Sequence, residues 1–220
     1  MVRAPSQDPT ACKVMLLLLL RYRTPGTQKL KLSHSTKEGA SHAETSLTAK
    51  PSCKDEARVG QQGTLTRVWA KKGSRPRAPR DRRYDWAYIF GAACPERGAC
   101  AALVLPHADA HAFNLHLAEI SKAVAQGAHA VIILDGAGYH GAAHLDIPEN
   151  LTLIRLPPYA PELNSAENIW EYLCKNRLAN SIFETYDDIV EACCNAWSFF
   201  ANDPAAVSSI TNRNWATVSP

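Results

Sequence analysis

The sequence has no apolar run of the roughly 20 residues that a helix needs to cross a lipid bilayer. A seven-residue run, Val14 to Leu20, lies between Lys13 and Arg21. Its length suits the core of a signal peptide, but the residues that follow it, Arg21-Tyr22-Arg23, offer no small-residue cleavage site. The sequence therefore predicts no association with a membrane.

The seven cysteines also lack a pattern. None belongs to a CxxC pair, and none has a histidine at metal-ligand spacing. An odd number of cysteines without a spaced framework is typical of free thiols in a reducing compartment. A structural zinc and a disulfide scaffold are therefore poor interpretations, and a cytoplasmic protein is expected.

Large apolar residues are scarce between Thr24 and Lys54. The stretch Thr24 to Lys54 is rich in Ser, Thr and Lys, and such a composition buries too little surface to offset the entropy lost on ordering. We expect residues 1–54 to be a disordered or non-native leader. Residues 55–200 are expected to form one folded domain, with a C-terminal helical tail over 201–220.

The net charge of +3 is unevenly distributed. Residues 1–54 carry nine Lys/Arg and three acids, residues 55–83 carry the same numbers, and residues 84–220 carry six and fifteen. A basic N-terminal part followed by an acidic C-terminal part fits a polyanionic partner that contacts one face of the protein. The most basic stretch, 71–83, is equally well explained as a solvated loop.

Apolar periodicity after residue 55 predicts an α/β fold. Three antiparallel strands come first, with Pro95 to Gly98 as a hairpin connection. An amphipathic helix follows and ends near Gly127, and then come a strand, a short connection, a strand and further helices. This is the element order of a ribonuclease-H-like mixed sheet with C-terminal helices. The predicted strands are Thr64–Ala70, Trp86–Ala93, Ala99–Leu105, Val131–Leu134 and Leu151–Leu156, and the predicted helices span 109–126, 166–178 and 186–200, with a last one from Asp203.

Two acidic residues lie where regular elements end or begin. Asp135 directly follows the apolar strand Val131–Leu134, a position where sites in α/β sheets are common. Glu167 lies in the first turn of the helix that follows the polar turn Pro161 to Ser165. Convergence of these carboxylates would suit a hard divalent cation. Taken singly, Asp135 could be a capping residue and Glu167 an ordinary acid of a first helical turn.

The stretch 131–175 resembles the DDE catalytic domain of mariner-related transposases from bacterial insertion sequences. It departs from the family pattern at Tyr139 (usually Trp), Ala160 (usually Ser) and Ser165 (usually Pro), and the 31 residues between the two acids are slightly fewer than usual. The matching positions are Asp135, His140, Pro157, Pro158, Tyr159, Pro161, Glu162, Leu163, Asn164, Glu167 and Trp170.

The resemblance implies a third acid, Asp55, in the segment Asp55-Glu56-Ala57-Arg58. Family members have an apolar strand before this Asp, whereas Pro51 and two lysines at 50–54 predict a poor central strand here. The resemblance assigns Asp55, Asp135 and Glu167 as catalytic residues and ligands of two Mg²⁺ or Mn²⁺ ions, with Asp55 bridging both. Glu56 is expected on the opposite strand face, and neither it nor Glu162 is expected to be a ligand.

Several basic residues are candidates for contact with the DNA backbone, which carries affinity without sequence information. His140 could contact phosphate or orient a metal ligand, and a packing role is equally compatible with its position. The DNA-binding candidates are Arg58, Lys71, Lys72, Arg75, Arg77, His140 and Arg155.

The resemblance implies a DNA transposase that cuts transposon ends and joins them to target DNA. It also implies a homodimer on paired ends, a preference for TA targets and a place in the bacterial cytoplasm near the nucleoid. Family members carry a helix-turn-helix module before this domain, and none is visible here, so a truncated or frameshifted N-terminus is expected. An inactive, DNA-binding remnant of a decayed element is the alternative. A cellular ribonuclease-H-like nuclease is a weaker one.

Overall fold

The computed structural model describes residues 31–35, 50–62, 67, 69–74, 77, 81, 83–141, 144–158, 160 and 163–213, with the backbone alone at 31–35 and 50. None of the helices in this part of the chain is long and apolar enough to cross a membrane.

The described residues form a six-stranded mixed sheet with the order β1-β4-β3-β2-β5-β6. The pairs β1–β4, β4–β3 and β3–β2 are antiparallel. The pairs β2–β5 and β5–β6 are parallel. The strands are β1 (Lys31–Ser35), β2 (Lys50–Gly60), β3 (Trp86–Cys94), β4 (Ala99–Leu105), β5 (Ala130–Leu134) and β6 (Leu151–Arg155).

Helices cover both faces of this sheet. One face packs against α1 (Ala110–Ala123), and the other packs against α2 (Glu167–Leu173), α3 (Tyr186–Ala201) and α4 (Pro204–Thr211). A short 3₁₀ turn, Gly138–Gly141, follows β5, and a π-helical turn, Cys174–Leu178, continues α2. Because strands covered on both faces bury every side chain, β3 and β4 appear in the sequence as continuous apolar runs.

Local signals set the helix boundaries. The Asp109 carboxylate accepts a hydrogen bond from the Ala112 N–H at 2.8 Å and so begins α1. A reciprocal capping box between Thr185 and Asp188 begins α3. Asp203 caps α4, whose first residue is Pro204. These residues satisfy backbone donors that a helix start otherwise leaves free.

The predicted fold class is confirmed, and strands β3 to β6 lie within about a residue of their predicted positions. Helix α1 ends earlier than predicted: Val124 caps it, and Gly127, with a φ of 75°, lies in the turn beyond. The predicted strand Thr64–Ala70 falls mostly outside the described residues. The described members of that segment, Arg67, Trp69 and Ala70, belong to no strand.

The prediction of a poor first strand is wrong. Strand β2 runs without interruption from Lys50 to Gly60 in the middle of the sheet. It pairs with β5 over residues 50–53 and with β3 over residues 53–60. Pro51 therefore has a neighbouring strand on one side only, where a missing N–H is tolerated.

The expected leader also contains regular structure. Residues 50–54 belong to β2, so the sheet begins before Asp55, and residues 31–35 form β1, in which Lys31 pairs with Val104 and Ser35 with Cys100. The other residues of the expected leader lie outside the described part of the chain.

Candidate active site

Strand register brings the first two acids side by side. In the parallel pair β2–β5, Lys50 lies opposite Ala130 and Cys53 opposite Ile133. The same offset carried two residues further sets Asp55 across from Asp135, immediately after β5 ends. Because side chains alternate between faces along a strand, Asp55 leaves the sheet on the face of Cys53, which α2 to α4 cover.

The third acid approaches through the start of α2. Glu167 is the exposed first residue of that helix. Just before it, Asn164 is buried, and its side-chain amide donates to Asp55 Oδ2 at 3.2 Å. The amide oxygen of Asn164 accepts from the Ala166 N–H at 3.1 Å. One side chain thus joins the Asp55 carboxylate to the helix start that carries Glu167.

The charges of the other two acids act on the Asp55 carboxyl. Asp55 is 8% exposed. Burial, and then the negative charges of Glu167 and Asp135, raise the pKa of its carboxyl to about 7. The buried indole N–H of Trp170 and the charge on Lys54 act in the opposite direction, although that indole makes no hydrogen bond of normal geometry. Carboxylates that repel one another in this way favour binding of a cation.

The donor set fits a hard divalent ion. Among the described residues, no group of three or more His, Cys, Asp or Glu side chains is close enough together to hold a metal ion by itself. Mg²⁺ rarely uses a cage made of protein ligands alone, because it keeps several waters and takes oxygen ligands from one or two carboxylates and from substrate phosphate. The half-exposed Asp135 and the exposed Glu167 leave room for those additional ligands.

His140 lies behind Asp135 and is buried. Its Nδ1 is 3.0 Å from Asp135 Oδ1 and 3.2 Å from the Asp135 carbonyl oxygen. Its Nε2 is 3.0 Å from Lys54 Nζ and 3.3 Å from Glu56 Oε1. Burial, and next the charge of Lys54, lower the pKa of the ring to about 4, so it is neutral at physiological pH. The ring does not reach the surface, which corrects its assignment as a DNA contact.

Lys54 is fully buried, a feature that sequence reasoning missed. Burial lowers the pKa of its ammonium to about 7, while the charges of Asp55 and Asp135 raise it in part. The ammonium forms an ion pair with Glu56 and lies 4.3 Å from the centre of the Phe113 ring. Glu56 lies on the face opposite Asp55, as predicted. The opposite charges at positions 54 and 56, two apart on one strand face, were the available signal.

Apart from His140, the basic candidates that the structure describes are exposed. Lys71, Lys72 and Arg77 are exposed, whereas Arg75 lies outside the described residues. Arg58 is exposed and its guanidinium stacks on Trp86, 5.3 Å from the ring centre, on the sheet face opposite Asp55.

Arg155, at the end of β6, is also exposed, and its guanidinium donates to the His140 carbonyl oxygen. It therefore lies beside the 3₁₀ turn that follows Asp135.

Comparisons with known proteins agree with this geometry. The model of the DDE superfamily endonuclease family matches residues 52–190. An uncharacterized protein, y4pE/y4sA, of Sinorhizobium fredii (strain NBRC 101917 / NGR234) is 53% identical over 131 residues, which are 60% of this chain and 97% of that protein.

The fold is shared with structures of mariner Mos1. A paired-end complex with Mg superposes with a TM-score of 0.57 at 15% identity, and a Mos1 transposase paired-end complex with the left transposon end with 0.57 at 16%. Each covers 74% of this chain, and the chain spans about half (51%) of each Mos1 chain. The family match over residues 52–190 shows that this chain belongs to the DDE superfamily endonucleases, the family that its motif predicted.

Proposed function

We propose that this chain is the catalytic domain of a DNA transposase, which cuts phosphodiesters at transposon ends and transfers the strand to target DNA with the help of Mg²⁺ or Mn²⁺. The observation that carries the proposal is geometric: the register of β2 and β5 sets Asp55 across from Asp135, and Asn164, in the turn before Glu167, donates a hydrogen bond to Asp55. The charges of Glu167 and Asp135 also raise the pKa of Asp55, which supports a shared site for the three acids.

The proposed metal ligands follow from this arrangement. Asp55 would be shared by two ions, with Asp135 completing the first site and Glu167 the second. Two such ions supply activation of the attacking oxygen and relief of charge on the phosphate and the leaving oxygen. The related Mos1 complexes have been determined with Mg and with Mn, which supports this choice of ions.

The protein side chains then act by positioning. Asn164 holds one oxygen of Asp55, and His140 holds one oxygen of Asp135. No side chain is assigned as a general base, because bound metal would supply the activation of the attacking water or DNA 3′-hydroxyl.

We further propose DNA as the partner and a homodimer as the assembly on paired DNA ends. The likeness to Mos1 paired-end complexes supports both proposals. Lys71, Lys72, Arg75, Arg77, Arg58 and Arg155 are proposed to contact the DNA backbone, where positive charge provides affinity without reading sequence. The proposed location is the bacterial cytoplasm, near the nucleoid.

An inactive remnant is the less favoured interpretation. Its main support was the expected failure of the strand that carries Asp55. The uninterrupted strand β2 and the hydrogen bond from Asn164 to Asp55 remove that support.

A nicking assay tests the proposal. Wild-type protein is incubated with supercoiled DNA that carries the transposon ends and with Mn²⁺, alongside the variants Asp55→Asn, Asp135→Asn and Glu167→Gln. We expect nicking by the wild type and a fall to background in all three variants. Glu191→Gln, which changes an exposed acid on α3, serves as the matched control and should nick normally. Absence of nicking by the wild type, or equal nicking by all variants, would overturn the proposal.

A further inference from the structure

A buried polar cluster lies on the opposite side of the sheet from the Asp55 carboxylate. It consists of Lys54, Glu56 and His140, whose side chains are 0%, 8% and 0% exposed. The proposed metal chemistry uses none of these groups directly. The side chain of His140 contacts the candidate site through Nδ1, which lies 3.0 Å from the Asp135 carboxylate.

Hydrogen-bond donors and acceptors determine the state of the His140 ring. Nδ1 faces two acceptors, the carboxylate and the carbonyl oxygen of Asp135, so it must carry the proton. Nε2 is 3.0 Å from the Lys54 ammonium, a donor, and 3.3 Å from Glu56 Oε1, an acceptor, and the shorter contact with the donor assigns Nε2 as an acceptor. His140 is therefore a neutral ring in the Nδ1–H form. The His140 ring packs against the rings of Phe113 and Tyr139, whose centres lie 4.6 and 4.7 Å from its own.

The Lys54 ammonium is enclosed by acidic and aromatic side chains, among them the Phe90 ring, whose centre is 5.3 Å away. Its partners are the Glu56 carboxylate, His140 Nε2 and the face of the Phe113 ring. A buried ion pair of this kind stabilises a fold little more than well-packed apolar residues of similar volume. A stability role alone therefore gives no reason for a lysine at this position.

The cluster also decides which oxygen of Asp135 is engaged. The His140 Nδ1–H and the Ala137 N–H, at 3.1 Å, both donate to Oδ1. Among the contacts that the described residues make, these two hold that carboxylate by one oxygen, and its half-exposed side chain presents the other.

We propose that Lys54 and His140 are positioning residues for Asp135: Lys54 selects the Nδ1–H form of His140, and this ring orients the Asp135 carboxylate so that Oδ2 is free to bind a divalent cation. The inference rests on the proposed function, because it assigns Asp135 to the metal site. It goes beyond that function in giving a role to two buried residues that do not touch metal or DNA.

The first test determines which ring nitrogen of His140 carries the proton. Nitrogen NMR of ¹⁵N-histidine-labelled protein distinguishes a protonated from an unprotonated ring nitrogen, without any metal or DNA. We expect the Nδ1–H form for His140 in the wild type. Lys54→Met, which keeps the apolar stem over Phe113, removes the donor and should let Nε2 take up a proton, because Glu56 is its remaining partner. Lys54→Gln supplies an uncharged N–H donor and should restore the Nδ1–H form.

The second test measures the affinity of the proposed metal site for Mn²⁺. Mn²⁺ binding is followed by electron paramagnetic resonance for wild type, Lys54→Met, Lys54→Gln and His140→Phe, the last of which keeps the ring but loses its donor. Loss of a hydrogen-bond partner behind a metal ligand costs about 10- to 100-fold in affinity. We expect half-saturation to rise by that factor in Lys54→Met and His140→Phe, and to recover in Lys54→Gln.

The outcomes separate this inference from the proposed function. If the wild type binds Mn²⁺ and Asp135→Asn does not, but Lys54→Met and His140→Phe bind as the wild type does, the positioning role is wrong and the metal site stands. If the wild type binds no Mn²⁺, both fail. An Nε2–H form in the wild type also overturns the inference. If Lys54→Met does not fold, His140→Phe and Lys54→Gln decide by the same criteria.

Discussion

The side-chain amide of Asn164 donates to Asp55 Oδ2 at 3.2 Å, across 109 residues of sequence. Its oxygen meanwhile accepts the Ala166 N–H. Asp55, on the central strand β2, is thus linked to the turn that begins α2, the helix that carries Glu167. A displacement of either element would break one of these two bonds, so the distance between Asp55 and Glu167 depends on this residue.

Replacing Asn164 with aspartate tests this link. Asn164→Asp keeps the acceptor for the Ala166 N–H but replaces the donor to Asp55 with a second negative charge. We expect half-saturation by Mn²⁺ at pH 7 to rise by about 10- to 100-fold, the usual effect of losing a partner behind a ligand. Calorimetric or spin-resonance titration gives the value. Asn150→Asp is the control, because Asn150 is bonded to Ser121 instead. Equal affinities in the wild type and Asn164→Asp would contradict the link.

The titration of Asp55 predicts an unusual pH dependence of stability without metal. The folded-state pKa of about 7 lies above the ordinary value of 3.8. Between these values the folded chain binds more protons than the unfolded chain, so the free energy of unfolding falls as pH rises from about 4 to 7. The full difference is on the order of 4 kcal/mol. Asp55→Asn, measured by urea unfolding in EDTA, should lack this fall and be more stable than the wild type at pH 8.

Asp188 provides the control of opposite sign. The backbone and side chain of Thr185 lower the pKa of its carboxyl. Asp188→Asn should therefore lose stability above the ordinary pKa of an aspartate and differ little from the wild type at lower pH. Parallel pH profiles for wild type and Asp55→Asn would show that the Asp55 carboxyl is not perturbed.

Lys71 and Lys72 are predicted to act through charge alone. Both are exposed in the basic segment between β2 and β3. The double variant Lys71→Gln/Lys72→Gln should weaken DNA binding at low salt and reduce the slope of log affinity against log salt concentration by about 2. Fluorescence anisotropy over a salt series measures both quantities. Lys175→Gln, which removes an exposed lysine paired with Glu171, should leave the slope nearly unchanged. An unaltered slope in the double variant would exclude these lysines from the DNA contact.

Gly91 is predicted to be required for packing beneath the site. It pairs with Asp55 across β2 and β3. A Cβ atom at this position would lie 2.6 Å from the Trp170 ring and 2.7 Å from the Trp197 ring. Gly91→Ala should therefore lower the free energy of unfolding by about 1–3 kcal/mol, as overpacking usually does. Denaturant unfolding measures the change. Gly138→Ala, where a Cβ meets nothing within 4 Å, is the matched control, and equal stabilities would refute the packing argument.

The acids of the motif could be located from local pattern. Asp135 follows an apolar run that predicts a strand, and Glu167 follows a turn that predicts the start of a helix. Both predictions depend on neighbours within a few residues, and β5 and α2 have the expected positions. The convergence of the two acids with Asp55 was predicted by resemblance, and the electrostatics of Asp55 agree with it.

The strand that carries Asp55 could not be predicted in the same way. Pro51 and Lys54 both disfavour a central strand when judged by propensity. Pro51 is tolerated because β3 begins to pair only at Cys53. Lys54 is tolerated because Glu56 and His140 satisfy its ammonium, and His140 lies 86 residues further along the chain.

The amino-acid sequence by itself determined the family, the order of strands and helices from β3 onward, and the positions of Asp135 and Glu167 at element ends, because these follow from short-range periodicity and from a motif of adjacent residues. Only the tertiary structure decided that β2 is sound, that His140 supports Asp135 rather than meeting DNA, and that Asn164 joins Asp55 to α2. Those features depend on hydrogen bonds between residues far apart in sequence, and such bonds exist only once the strands are in register.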